Sequence, residues 1–181
     1  MPVQVVVLNG GSSSGTTSVG RALQTHLPEP HLLIGDDTLI DAMPTPRPGR
    51  HDAPISVDAD GTVRPGPTFR ALEQAWYRGL AEMARQGALL ILDEVFLSGG
   101  QSQSRLRNEL TGLEVIWVAV HCDSRVAAAR EATRADRDPG MAAAQAESVH
   151  FEVDYDLRVD TTHHTADECA AAIADQVKTI G

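Results

Sequence analysis

The sequence has 181 residues, of which 42% are hydrophobic, and its 25 acidic and 15 basic side chains give a net charge of −10. This length predicts one domain over residues 1–181, and the negative charge disfavours binding to nucleic acids or anionic membranes. No apolar run is long enough to span a membrane, and the N-terminus lacks the pattern of a signal peptide, which predicts a cytoplasmic protein. Cys122 and Cys169 have no disulfide or metal-ligand spacing, so we expect two reduced, buried thiols.

Short apolar runs rich in β-forming residues alternate along the chain with segments of helical periodicity. The predicted strands cover residues 3–8, 32–34, 88–92, 115–120 and 156–159. Two helix faces follow from the spacing of apolar residues, the first with Val19, Leu23 and Leu27, the second with Phe69, Leu72, Trp76, Leu80 and Met83. Gly87 marks the end of the second helix, and Thr165 with Glu168 forms a capping box for the last. The alternation predicts an α/β fold with a five-stranded parallel sheet flanked by helices.

Residues 44–67 depart from this pattern, because they contain six of the ten prolines. Within them, residues 55–63 read as a small hairpin that turns at Asp60 and Gly61. A long insertion in a compact domain is either a functional element or a poorly ordered loop. We favour an element that covers the substrate, because the hairpin and the prolines lower the entropy lost on ordering.

The first strand is followed by a glycine- and serine-rich turn and then by a helix. In such a P-loop the glycines let backbone N–H groups face a phosphate, and a hydroxyl at Thr17 binds Mg²⁺. The usual lysine is absent and Thr16 stands in its place. The simpler alternative is a turn that only joins strand and helix. The predicted phosphate-binding residues are Gly10, Gly11, Ser12, Ser13, Ser14, Gly15, Thr16 and Thr17.

Acidic residues follow two of the predicted strands. Asp93 lies where ligand sites form in α/β sheets, and its carboxylate is suited to Mg²⁺, directly or through water; a solvated strand end is the alternative. Asp37 follows the second strand, where a carboxylate accepts a proton from a substrate hydroxyl or simply caps the next helix.

Three arginines, Arg130, Arg134 and Arg137, recur at the spacing of one helix face. Guanidinium groups in such a row suit phosphate binding, so we interpret residues 125–140 as an arginine-rich lid. Alternatively, the row is an exposed face that pairs with Glu131 and Asp136.

Several longer segments carry a family resemblance. The chain resembles chloramphenicol phosphotransferase almost from end to end, in Leu8-Asn-Gly-Gly-Ser-Ser, Leu27-Pro-Glu-Pro, Gly35-x-Asp-x-Leu-Ile-x-Ala-Met-Pro, Phe69-Arg-Ala-Leu-Glu, Asp93-x-Val-Phe-Leu and Asp160-Thr-Thr-His. The resemblance implies a P-loop kinase-like fold and phosphoryl transfer from ATP to the hydroxyl of a small antibiotic. It also implies that Asp37 is the general base and that the arginines of segment 130–137 belong to a lid.

Thr16 is the main departure from that family, which has a lysine at this position. Loss of a fixed cation at the β- and γ-phosphates typically slows transfer by about 10²–10³-fold, unless the arginines supply the charge. We therefore keep three hypotheses. The chain is an ATP- and Mg²⁺-dependent O-phosphotransferase, an enzyme with Asp37-dependent chemistry that does not use ATP, or a non-catalytic ligand binder.

The acceptor is a small hydroxylated molecule whose identity the sequence leaves open, together with the oligomeric state. Apolar residues near the predicted strand ends are the candidate pocket walls, although such residues more often belong to the core. They are Leu39, Met43, Phe69, Trp76, Phe96 and Leu97.

Overall fold

The computed structural model describes residues 2–43, 54–58, 61–133 and 140–180. The strands are β1 (Val5–Asn9), β2 (His31–Gly35), β3 (Ile55–Val57), β4 (Val63–Pro65), β5 (Leu89–Glu94), β6 (Val115–His121) and β7 (Leu157–Asp160). The helices are α1 (Thr16–His26), α2 (Asp36–Asp41), α3 (Pro67–Arg85), α4 (Gly100–Glu109), α5 (Ser124–Glu131), α6 (Met141–Ser148) and α7 (Ala166–Ile180).

Five strands form one parallel sheet in the order β2-β5-β1-β6-β7, which confirms the predicted fold class. The register places Asn9 beside Glu94, and Gly35 beside Asp93. The carboxyl ends of the three strands β1, β2 and β5 therefore meet at one edge of the sheet, where ligand sites of such folds lie.

The core lies on both faces of the sheet, because alternate side chains of β1 point to opposite sides. Val6 and Leu8 pack with α1 and α7, whereas Val5 and Val7 pack with α3 and α4. The apolar face predicted for α1 is confirmed, since Val19, Leu23 and Leu27 are all buried.

The face predicted for α3 is partly wrong. Phe69 and Leu80 are buried, but Leu72 and Met83 are 42% and 37% exposed. The helix instead buries Glu73 and Tyr77, together with small alanines. Polar side chains at buried positions are invisible to a search for apolar periodicity, which explains the error.

Local signals at chain ends and turns are confirmed. Gly87, with φ of +97°, follows the end of α3, and Thr165 exchanges hydrogen bonds with Glu168 before α7. Cys122 and Cys169 are free and buried, as expected. Among the described residues, no helix has the length and apolar character needed to cross a membrane.

The insertion contains the expected hairpin, in which β3 and β4 pair antiparallel. Gly61 takes a φ of +83° in the turn and donates its N–H to the carbonyl of Asp58. The other predicted turn residue, Asp60, and residues 44–53 lie outside the described residues.

Candidate active site

The phosphate loop joins β1 to α1 in a conformation that needs glycine and one strained serine. Gly15 has φ of +95° and Ser13 has φ of +60°. A side chain on Gly10 would meet the Val120 carbonyl oxygen at 2.7 Å, so the loop packs directly against the end of β6. The backbone amides of the loop thereby gather at the N-terminus of α1, an arrangement that binds anions.

Three serine hydroxyls in this loop have no hydrogen-bond partner among the described residues. They belong to Ser12, Ser13 and Ser14, and all three oxygen atoms are buried. A buried hydroxyl without a partner is unfavourable by about 1–3 kcal/mol. The loop is therefore built around polar groups that a phosphate ligand can satisfy.

Thr16 is 8% exposed and lies within the loop. Its Cγ2 methyl group is 2.8 Å from the position that a Cβ atom on Gly10 would take. The threonine thus fills space between the two ends of the loop. It supplies no cation, and the single lysine of the chain, Lys178, pairs with Asp175 in α7.

Thr17 and Asp93, both predicted on the magnesium side of the site, lie in contact. The Thr17 hydroxyl donates to Oδ2 of Asp93 over 2.6 Å. Two oxygen ligands at a phosphate loop suit Mg²⁺, which is bound in such sites by one or two carboxylates or hydroxyls with substrate phosphates.

Asp37 lies in the first turn of α2, and its side chain is exposed to the cavity. The alternative interpretation of Asp37 as the helix cap is wrong, because Gly35 is the N-cap residue. The Gly35 N–H is bound instead by the Thr38 hydroxyl, at 3.4 Å.

Beside Asp37 lies a buried acidic pair that sequence analysis did not identify. Burial, and then the charge of Glu73, raises the pKa of Asp36 to about 7. Glu94 is fully buried. Burial, and then the charge of Asp36, raise the pKa of its carboxyl well above the usual value, although the hydrogen bond that the Tyr77 hydroxyl donates at 3.0 Å acts to lower that pKa. The folded protein therefore holds protons on this pair at pH values where free carboxyls are ionised.

Glu73 is buried between two arginines. Arg70 donates to both of its carboxylate oxygens, at 2.7 and 2.9 Å, and Arg105 donates to one at 3.2 Å. Arg70 also lines the cavity and donates to the Ser98 hydroxyl. The ion pair holds the Arg70 guanidinium at the wall of the cavity in a defined orientation.

Arg130 lies against the phosphate loop, on the side of β7. Its guanidinium donates to the carbonyl oxygens of Thr161 at 2.8 Å and of Ser14 at 3.4 Å. Its interpretation as part of an exposed face is wrong, because these contacts bury half of it. Helix α5 ends at Glu131, and Arg134 and Arg137 lie outside the described residues, so their role in phosphate binding stays a prediction.

Helix α6 reaches the phosphate loop through Gln145, which sequence analysis also missed. The Ser12 N–H donates to the Gln145 side-chain oxygen over 2.7 Å, and Gln145 is 5% exposed. Helix α6 is fixed to α5 by Glu131, which is buried and accepts from the backbone N–H groups of Gly140 and Ala142 at 2.9 and 2.7 Å.

These elements enclose a cavity of about 410 Å³ at the carboxyl edge of the sheet. The hairpin reaches it through Ile55 and Val63. Of the apolar residues proposed as pocket walls, Phe69 and Leu97 line the cavity, whereas Phe96 is buried in the core. The cavity lining contains six of the eight predicted loop residues, all except Gly10 and Ser14: Gly11, Ser12, Ser13, Gly15, Thr16 and Thr17.

The phosphate loop follows the central strand β1, and the Asp93 carboxylate lies on the neighbouring strand β5. This arrangement defines the class of P-loop kinase-like proteins. The model of the chloramphenicol phosphotransferase-like protein family matches residues 3–178, and the chain belongs to this family. It is 33% identical over 178 residues to a candidate O-phosphotransferase of Mycobacterium tuberculosis strain H37Rv, covering 92% of this chain and 79% of that protein.

Solved structures of kinases share the fold at low sequence identity. A sugar kinase from Janibacter sp. matches with a TM-score of 0.69 at 14% identity, over 99% of this chain and 96% of that one. Shikimate kinase from Acinetobacter baumannii, in complex with shikimate, matches with a TM-score of 0.63 at 16% identity, over 98% and 94%. At this identity the likeness establishes the fold alone.

Proposed function

We propose that the protein is an O-phosphotransferase that moves the γ-phosphoryl group of ATP to a hydroxyl of a small molecule, with an antibiotic related to chloramphenicol as the leading acceptor. The contact between Thr17 and Asp93 carries this proposal, because it brings the P-loop hydroxyl and the strand carboxylate to one point. The cavity extends from that point to Asp37, which suits a donor and an acceptor bound side by side.

In this reaction the acceptor O–H bond breaks and its proton passes to the Asp37 carboxylate. The acceptor oxygen forms the new bond to the γ-phosphorus, and ADP leaves with the electrons of the broken P–O bond. The exposure of Asp37 to the cavity supports this role. The loop amides and the N-terminus of α1 stabilise the phosphate charge.

Magnesium fits the oxygen donors at Thr17 and Asp93, which would hold it directly or through water. The ion would neutralise charge on the β- and γ-phosphates. Nucleotide phosphates and water would supply the other ligands, as is usual for Mg²⁺ at such sites.

The second candidate function is Asp37-dependent chemistry without ATP. The observation in its favour is Thr16, which occupies the interior of the loop where a kinase has a lysine. A non-catalytic ligand binder is the third possibility, and the intact Asp37, Thr17 and Asp93 disfavour it.

Calorimetric titration of the protein with ATP, with and without Mg²⁺, separates these functions. A kinase binds ATP more tightly with Mg²⁺, and then converts chloramphenicol or a related alcohol to a product heavier by one phosphoryl group in a mass spectrum. An ATP-independent enzyme binds no nucleotide under either condition. ATP binding without product from any hydroxylated antibiotic would favour the binder.

A further inference from the structure

We propose that Gln145 contacts the transferred phosphoryl group and supplies the hydrogen-bond donors that the missing lysine would otherwise provide. This inference rests on the proposed function, because it assigns a residue to the phosphate donor. It adds a side chain from α6 to a site that sequence motifs place in the loop, α1, α2, β5 and the arginine row of residues 130–137.

The orientation of the Gln145 carboxamide is determined by its partner. The Ser12 backbone N–H is a donor, so the atom facing it at 2.7 Å must be the carboxamide oxygen. The NH₂ group is then the remaining polar group of the carboxamide, and it is not the partner of Ser12. Gln145 lines the cavity, and within the described part of the chain its NH₂ group donates to no other residue.

Position as well as orientation favours contact with a phosphate. Gln145 packs against the loop closely enough that a Cβ atom on Gly11 would lie 3.1 Å from the Gln145 Cβ. Its side chain and Thr16 line the same cavity. Two N–H donors, held at the loop by a buried side chain, are preorganised to stabilise phosphate charge without reorganisation.

The neighbouring cations are less suited to this position. Arg130 directs its N–H groups to the Thr161 and Ser14 carbonyl oxygens, on the β7 side of the loop. Arg70 is held by Glu73. Arg21 lines the cavity but lies one helical turn beyond Thr17, further along α1 from the loop amides.

Replacement of Gln145 by methionine tests the proposal, because methionine has a similar length and no N–H donors. We expect Gln145→Met to weaken binding of Mg²⁺ with the ATP analogue AMPPNP by about tenfold, as loss of a hydrogen bond to a charged group does. Gln145→Glu keeps an acceptor for Ser12 but adds a negative charge, so its loss should be larger. Titration calorimetry measures all affinities, and Gln145→Glu decides the question if Gln145→Met does not fold.

Gln103 offers a matched control. It is also a buried glutamine, and within the described ranges its carboxamide bonds to the backbone of Asp154 alone. Gln103→Met should lower stability but leave AMPPNP affinity within twofold of the parent protein.

Thr16→Lys distinguishes a phosphate contact from structural support. A lysine at position 16 restores a cation at the phosphates, so it should recover most of the affinity lost in Gln145→Met and add less in the parent protein. A structural role for Gln145 predicts equal effects of the lysine in both backgrounds.

Two results overturn the proposal. If the parent protein binds AMPPNP and Gln145→Met binds it equally or more tightly, Gln145 does not contact the phosphate, although the O-phosphotransferase function stands. If the parent protein binds no AMPPNP with Mg²⁺, both this inference and the proposed function are wrong.

Discussion

The chemistry of the site depends on single side chains at the carboxyl edge of the sheet. Asp37 lies in the cavity and does not cap α2. Asp37→Asn removes the charge and keeps a side-chain oxygen, so it tests the chemistry with little change to the side-chain shape.

We expect Asp37→Asn to lower kcat by at least about 10²-fold, because the amide cannot accept the acceptor proton. The melting temperature should stay close to that of the parent protein. Asp175→Asn, an exposed change in α7, serves as the control with unchanged turnover. Turnover of Asp37→Asn at the parent rate would show that another group is the base.

Arg130→Ala should weaken AMPPNP binding and destabilise the protein, each by about 1–3 kcal/mol, because four hydrogen bonds join Arg130 to the loop, Cys122 and Thr161. Calorimetry and urea unfolding measure the two effects. Arg125→Ala, an exposed change in the same helix, should affect neither. If the two variants behave alike, Arg130 has no part in the site.

At the same scale, sequence analysis identified the cavity residues that local motifs encode. Thr17 and Gly15 follow from the loop spacing, and Asp93 from its place after a strand. Gln145 could not be found in this way, because its partner Ser12 is 133 positions away along the chain. Asp36 and Glu94 were missed because their burial depends on how β2 and β5 pair.

At the scale of elements, α5 and α6 behave as one unit joined by Glu131. Its carboxylate accepts two N–H groups at the start of α6, where Gly140 and Ala142 have no helical partner. Gln145 lies in the same helix and contacts the phosphate loop. The two hydrogen bonds to Glu131 therefore help to fix the position of a residue proposed to contact phosphate.

In Glu131→Gln one carboxylate oxygen becomes an NH₂ donor, which faces a backbone N–H donor of α6. We therefore expect a loss of about 1–3 kcal/mol in unfolding free energy. Hydrogen exchange should accelerate in residues 140–146 before other helices are affected. Glu147→Gln, at an exposed position of α6, is the control. Unchanged exchange in Glu131→Gln would mean that α6 is held by its apolar contacts alone.

The five strands of the parallel sheet were predictable because buried parallel strands are continuous apolar runs. The buried face of α3 was not predictable. It includes Glu73, which is buried because it pairs with Arg70 and Arg105. The strand order was also not predictable, because local sequence does not determine which strands become neighbours in the sheet.

At the scale of the whole molecule, two groups give opposite dependences of stability on pH. Asp36 keeps its proton to about pH 7 in the folded protein, so the unfolding free energy falls as pH rises from about 4 to about 7. Burial lowers the pKa of His150 to about 4, so the unfolding free energy rises with pH from about 4 to 6.5. The two effects have opposite signs, and the raised pKa of Glu94 adds to the effect of Asp36.

Asp36→Asn removes the contribution of the Asp36 carboxyl to this pH dependence. We expect it to raise the unfolding free energy at pH 7.5 more than at pH 4.5, by about 1–3 kcal/mol, because only the ionised carboxylate is penalised by burial. Urea unfolding at the two pH values measures the difference. An equal change at both values would place the pKa of Asp36 in its ordinary range.

The contact between the hairpin and the start of α6 affects how molecules reach the cavity. A Cβ atom on Gly61 would lie 2.5 Å from the Gly140 carbonyl carbon, so the two backbones touch without side chains between them. Among the described residues, no hydrogen bond joins Gly61 to Gly140. A larger residue at position 61 should therefore push the hairpin away from the start of α6, and so change how fast a bulky acceptor enters the cavity between Val63 and Met141.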